Sequence, residues 1–406
     1  MAEEYKGIDY LKKQLAGKRA YVLKRYKYYN MKDRARDLEI STPPKLRWMD
    51  GALGWCNKAV KSLTDRITFE EFRNDNLDMM EIFRRNNAQI MTNMAALSAC
   101  ISSCCFIYIS PDADGYPRLQ VIDGGNATGI INPITMLLTE GYAVIKRDTD
   151  TDKVLEDAYF TGEETVYYKR GKITQVIRHN ARQPLLVPII YDPEPTKGFG
   201  RSRITDACMD LQERAKRVLK RTEITAEFYS YPQKYVTGLS RDAELMDKWK
   251  STMSAMLTFS NDADGNHPIV GQFSQQSVAP HLDQLKMLAS LFGGETGLTL
   301  DDLGFPQSNP SSSEAIRAAH ETLRLTAEKA QQAYAVGFRN AGYVAACLRD
   351  DFPYPTSAFA DTEVAFTTAF KPDAAGLAGI GDAILKLNQA VPDYVTEDKI
   401  KDMTGL

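Results

Sequence analysis

Six cysteines, four histidines and two copies of an Asp-Ala-Asp-Gly phrase are the residues of this sequence whose types could do chemistry. The cysteines stand at 56, 100, 104, 105, 208 and 347, and the histidines at 179, 267, 281 and 320. No cysteine pair has the two-residue gap of a zinc knuckle or a redox motif, and the histidines are scattered. The expectation is reduced, mostly buried thiols, with no metal and no cofactor. The acidic phrases at 112–115 and 262–265 invite a calcium reading. An EF-hand loop needs a third ligand before its glycine and a glutamate at the twelfth position. Both copies place the glycine too early and lack that glutamate, so both read as hairpin turns.

Phosphate chemistry fares no better. Gly198-Phe199-Gly200-Arg201-Ser202 precedes a helix but lacks the lysine-serine ending of a nucleotide-binding loop. The aspartates sit at turns and helix ends rather than in a converging set, which speaks against a metal-dependent nuclease. Lys24-Arg25-Tyr26-Lys27-Tyr28-Tyr29 interleaves cations with aromatic rings and could stack on single-stranded nucleic acid. The favoured reading is a basic helix whose tyrosines pack on the body or on a neighbouring subunit. On every count the residues point away from an enzyme.

The elements that must position these residues are those of a folded chain: 43% of its 406 residues are hydrophobic and 25% charged, against bulk disorder. A net charge of -3 excludes a globally basic nucleic-acid binder. The apolar run Ala95 to Ile109 is broken by Ser98, Ser102 and Ser103 and is too short and polar to span a bilayer. The first residues lack the apolar core of a signal peptide, so the protein is expected to stay where it is made.

Periodicity predicts a helix up to about Tyr29, ended by Pro43-Pro44, and another over 69–105. Strands follow at 105–109, 119–122, 142–147, 157–161, 165–169 and 174–179. Ser202 is placed to cap a helix running to about Tyr229, roughly 40 Å long. That helix carries Arg214, Lys216, Arg217, Lys220 and Arg221 as one basic patch. Residues 234–237 and 268–273 read as strands, with a helix at 242–257 between them. A further helix spans about 280–292, and a Gly/Pro loop leads on to Ser311 and Glu314. That pair forms a capping box for a helix over about 312–349, roughly 55 Å if unbroken. Residues 361–370 alternate like a strand, and Pro372 to Leu406 holds one helix and a short tail. The fold class is α+β.

The order of these parts, with Gly200-Arg201-Ser202-Arg203-Ile204 opening one long helix and Ser313-Glu314-Ala315-Ile316 another, resembles the portal proteins of siphovirus-type tailed bacteriophages. The resemblance covers nearly the whole chain as a pattern of elements. It implies an elongated protomer that assembles into a ring: a β-rich wing at 1–200 to which 350–371 returns, and a first stem helix at 201–230. A small α/β clip at 231–279, a second stem helix at 280–292 and a tunnel loop at 293–311 would follow. A spine helix at 312–349 and a short crown at 372–406 would complete it. The channel loop would then hold Gly293, Gly294, Gly297, Asp301 and Asp302, and the stem patch would touch a neighbouring subunit or DNA.

By the same resemblance the ring, twelve subunits in the virion, sits at one capsid vertex and passes double-stranded DNA during packaging and ejection. Its implied partners are the terminase large subunit, a head-tail adaptor, and capsid and scaffolding proteins, with assembly in the host cytoplasm and no membrane. A DNA-binding module or a metal-dependent nuclease acting on phage DNA is the alternative. Between residues 240 and 310 nine carboxylates face four cations, a net of five negative charges. Repeated around a ring, such a segment would repel the DNA backbone and keep a duplex mobile.

Overall fold

The structure, a computed structural model, describes residues 5–36, 42, 44–230, 234–237, 269–272, 277–306, 313–370, 372, 374–392 and 394–404. Helix α1 (Ile8–Tyr29) and helix α2 (Trp55–Thr64) come first. α1 buries one stripe, Leu11, Leu15, Val22 and Tyr28, as a 3.6-residue period dictates when the remaining positions are largely polar. Its polar side is tied down as well. Arg19 donates to both carboxylate oxygens of Asp152 at 2.7 Å, and the Tyr26 hydroxyl to Asp123 at 2.6 Å. Burial first, and then the Asp123 carboxylate, pushes the Tyr26 phenol far up. Tyr26 and Tyr28 thus pack on the body.

Residues 69–105 do not form the single helix expected. They form β1 (Phe69–Arg73), α3 (Met79–Arg85) and α4 (Ala88–Ser102). β1 bulges between Phe69 and Glu71 against the strand Glu363–Phe366. The extra residue lets Phe69 and Phe72 both face the core, three positions apart, which imitates helical spacing. Between α3 and α4, Asn87 takes φ 54°, a left-handed conformation that interrupts any α-helix.

Strands β2 (Cys104–Pro111), β3 (Pro117–Ile122), β4 (Ala127–Ile131) and β5 (Leu138–Arg147) follow, then β6 (Val154–Phe160), β7 (Glu164–Lys169), β8 (Lys172–Arg178) and β9 (Leu186–Ile190). They make two antiparallel sheets, ordered β3-β2-β9 and β4-β5-β6-β7-β8. The first Asp-Ala-Asp-Gly phrase is the β2–β3 turn, where Asp112 Oδ1 accepts the N–H groups of Asp114 at 3.0 Å and Tyr116 at 2.8 Å. The second phrase lies outside the described residues.

Helix α5 (Asp206–Ser230) starts later than expected. Ser202 is buried, donating to Ile101 O at 2.7 Å and accepting from the Ile204 N–H at 3.0 Å. Thr205 caps the helix instead, taking the Cys208 N–H at 3.2 Å. Strands β10 (Lys234–Thr237) and β11 (Ile269–Gln272) pair antiparallel. The helix expected at 242–257 falls outside the described residues. Helices α6 (Ala279–Thr296), α7 (Ser313–Ala319) and α8 (Glu321–Arg349) come next. Strand β12 (Glu363–Phe366) pairs with β1, and α9 (Ala374–Ala390) and α10 (Glu397–Thr404) replace the one C-terminal helix expected.

The long helix expected over 312–349 is divided at His320, whose N–H is shared between the carbonyls of Ile316 at 3.2 Å and Arg317 at 3.1 Å. Ser311 lies outside the described residues, and with it the expected capping box. α8 runs through the main core, burying Leu323, Tyr334, Phe338, Val344 and Cys347 among others. Two glycines set its approach to neighbouring elements. A Cβ at Gly337 would stand 2.7 Å from Ile189 Cδ1, and one at Gly342 2.7 Å from Met79 Sδ. All six cysteines are buried thiols, and burial pushes the Cys100 thiol up to about 11.

Candidate functional site

Helices α5 and α6 pack antiparallel, as two widely separated contacts show. Near one end Thr205 Oγ1 donates to Glu295 Oε1 at 2.9 Å, and near the other Thr225 Oγ1 lies 3.3 Å from His281 Nε2. An arginine, Arg203, also reaches the Thr296 carbonyl. With a rise of 1.5 Å per residue, the contacts stand roughly 30 Å apart along α5 and about 21 Å apart along α6. The pair brackets residues 231–278 at one end. Its other end joins the core through Phe292, which packs on Trp55 with ring centroids 5.4 Å apart.

The glycines expected in a channel loop divide between two settings. Gly293 and Gly294 lie inside α6, which continues to Thr296, so the helix expected over 280–292 is longer and the segment expected as a loop from 293 starts later. Gly293 is required for closeness: a Cβ there would meet the Leu298 carbonyl at 2.6 Å, while Gly294 faces open space. Gly297 ends the helix at φ 69°, its N–H bonded to the Gly293 carbonyl at 2.7 Å. This is the left-handed C-terminal stop that glycine makes at low cost. Leu298 and Leu303 are buried beyond it, so residues 297–306 form a packed turn.

Asp301 is exposed, and Asp302 is not its equivalent. Asp302 Oδ2 accepts from the Thr299 N–H at 3.1 Å and the Thr299 hydroxyl at 2.9 Å. Lys58 Nζ and His320 Nδ1 stand 3.7 and 3.8 Å from its carboxylate. Burial pushes the Asp302 carboxyl up, but the Thr299 hydrogen bonds and the nearby His320 and Lys58 outweigh it and hold the group below its ordinary value. Asp302 therefore fixes the turn internally.

The basic patch on α5 is likewise not one surface. Lys216 is buried, its ammonium 3.2 Å from Asp33 Oδ2 and 4.0 Å from Asp50 Oδ1. Arg214 and Arg217 bridge carboxylates one turn back, Asp210 at 2.8 Å and Glu213 at 3.1 Å. Lys220 Nζ donates to the Arg47 carbonyl at 3.0 Å. The expectation that such charge density needs a partner outside the chain overlooked these internal partners, which come from the preceding turn and from residues 33–50. Arg217, Lys220 and Arg221 do line an open concavity with Arg34, Arg36 and Arg47. These last three, and Trp48 beside them, were missed. Asp33-Arg34-Ala35-Arg36, a second basic cluster just ahead of Pro43, was the available signal.

Among the described residues no group of three or more His, Cys, Asp and Glu side chains converges to hold a metal, and no helix is long and apolar enough to cross a membrane. The antiparallel helix pair and the buried helix α8 are the long elements around which the described residues are built. The family profile described as phage portal protein, SPP1 Gp6-like, matches residues 8–367. The chain belongs to the phage portal protein family.

It is 25% identical over 328 residues to proteins named portal protein from Mycobacterium phages L5 and D29. Those alignments cover 74% of this chain and 66% of each relative, just under two thirds of the relatives' length. Among solved structures, a chain from the neck of a native gene transfer agent particle, computed with C12 symmetry, aligns over 86% of this chain and 89% of its own. It does so at 12% identity and a TM-score of 0.47.

Proposed function

We propose that this chain is a ring subunit at one vertex of a phage capsid, forming the channel through which double-stranded DNA is packaged and ejected. The observation that carries the reading is membership of the portal family across residues 8–367. The antiparallel α5–α6 pair supports it. Two helices side by side can line or brace a channel when repeated by rotation, and heterologous contacts between copies close into a ring when that rotation closes. In this reading α5 and α6 are the stem, and residues 231–278 form the clip. The turn after Gly297 opens the tunnel loop, α7 and α8 form the spine, and α9 and α10 a small crown. The body at 1–200, joined by β12, is the wing.

The subunit works without catalysis. Terminase, a head-tail adaptor, and capsid and scaffolding proteins are the partners of the assembled ring, about twelve subunits around. Purified chain examined by size exclusion with light scattering, then by electron microscopy, tests the core of this reading. Rings with a central channel are expected. A protein that stays monomeric at every concentration and salt would defeat it and return a DNA-binding module to the front.

A further inference from the structure

A concavity of about 420 Å³ opens between α5 and residues 34–36, 42 and 47–50. Six cationic side chains line it: Arg34, Arg36, Arg47, Arg217, Lys220 and Arg221. Asp50 is the single carboxylate among its described lining residues. The described lining is thus net positive by five, in a chain whose net charge is -3. Trp48 stands at the same rim and is 79% exposed, the most exposed large aromatic ring among the described residues.

The rim is also held in place. Asp33 is locked to Lys216 at 3.2 Å and to Gln212 Nε2 at 3.1 Å, the Arg36 N–H bonds to Glu213 Oε1 at 2.9 Å, and Lys220 grips the Arg47 carbonyl at 3.0 Å. The Asp33 carboxylate and the backbone at Arg36 and Arg47 are thus all tied to α5. Guanidinium groups are thereby presented from both walls before any ligand arrives, which lowers the entropy lost on binding.

We propose that this concavity binds a single nucleic-acid strand, with consecutive phosphates on the arginine rim and one unpaired base stacked on Trp48. Guanidinium forks match phosphate oxygens two at a time. A solvent-exposed indole beside them adds the sequence-tolerant stacking that single-strand sites use. A base pair inside a duplex has both faces covered by its neighbours, so the indole favours an unpaired base. The inference does not rest on the ring reading, because every residue it uses belongs to one protomer.

Fluorescence anisotropy with a labelled oligothymidylate of about 15 nucleotides tests it on the full chain. Binding should weaken steeply with salt, as counterion release requires. Arg34→Glu with Arg221→Glu should weaken binding at least about ten-fold. Trp48→Ala should cost about five-fold or more, and Trp48→Phe should restore most of it. Arg178→Glu, a reversal at an 87% exposed side chain outside the concavity, should change little. A blunt duplex of equal length should bind more weakly and ignore Trp48→Ala. The proposal is overturned if the pocket variants bind like the unaltered chain. It is equally overturned if duplex and single strand bind alike without a Trp48 effect, or if oligoglutamate competes as well as oligothymidylate, which would mark an acidic-peptide site. Circular dichroism of each variant separates loss of binding from loss of fold.

Discussion

Lys216 Nζ lies 3.2 Å from Asp33 Oδ2, and both side chains are sealed from solvent, at 1% and 2% exposure. The pair joins the loop after α1 to the middle of α5, 183 residues away in sequence. Taking two charges out of water is costly, so each is tolerable only while the other is present.

Lys216→Met should therefore lower unfolding stability by about 3–5 kcal/mol, because Asp33 is left buried and uncompensated. Asp33→Leu combined with Lys216→Met should recover most of the loss. Urea unfolding of both variants is the measurement, read as a shift in midpoint at constant slope.

The glycines of α6 should respond in opposite directions. Gly294→Ala fills open space in a helix and should stabilise by about 0.5–1 kcal/mol. Gly293→Ala drives a methyl into the Leu298 carbonyl, and Gly297→Ala forces φ 69° on a residue with a Cβ. Each should lower the melting temperature. A loss in Gly294→Ala equal to that in Gly297→Ala would contradict a helix that runs to Thr296.

Asp302 should contribute a pH-dependent share of stability. Its folded carboxyl is held below the ordinary value, so the unfolded chain binds its proton first as pH falls. The contribution is complete above about pH 5 and fades through pH 4 and below, as the group is protonated in both states. Asp302→Asn should be less stable than the unaltered chain at pH 7, with the gap closing toward pH 2. A gap that stays constant across that range would remove Asp302 from the account.

Asp301 is the carboxylate to change when testing a repulsive channel lining, since Asp302 is engaged with Thr299. Asp301→Lys should leave rings intact and slow DNA packaging most at low salt, where screening is weakest. Equal packaging rates at every ionic strength would rule out that role.

Much of the architecture was legible in the sequence, and the failures share a cause. Most strands from 105 to 179 announced themselves because alternation and turn residues act locally, and the Asp112 turn is closed by its own side chain, but β4 (Ala127–Ile131) was not foreseen. Phe69 and Phe72 misled because a bulge, set by a strand nearly 300 residues downstream, gave a strand the spacing of a helix. Ser202 looked like a cap but spends its hydroxyl on Ile101, a partner 101 residues away. The charge on α5 was readable from residue types, while the partner of the buried Lys216 lay on another segment. What local chemistry decided could be read, and what distant contacts decided could not.

The pairing of β10 with β11 has a consequence of its own. Lys234 stands opposite Gln272 and Thr237 opposite Ile269, so the chain leaves the helix pair and comes back to it side by side. Whatever lies between is attached through a narrow two-strand neck. A foreign segment whose ends are equally close could be spliced onto that neck without disturbing α5 or α6, because loop closure depends only weakly on length. The neck is thus a natural exchange point, where one inserted segment can be traded for another while the frame is kept.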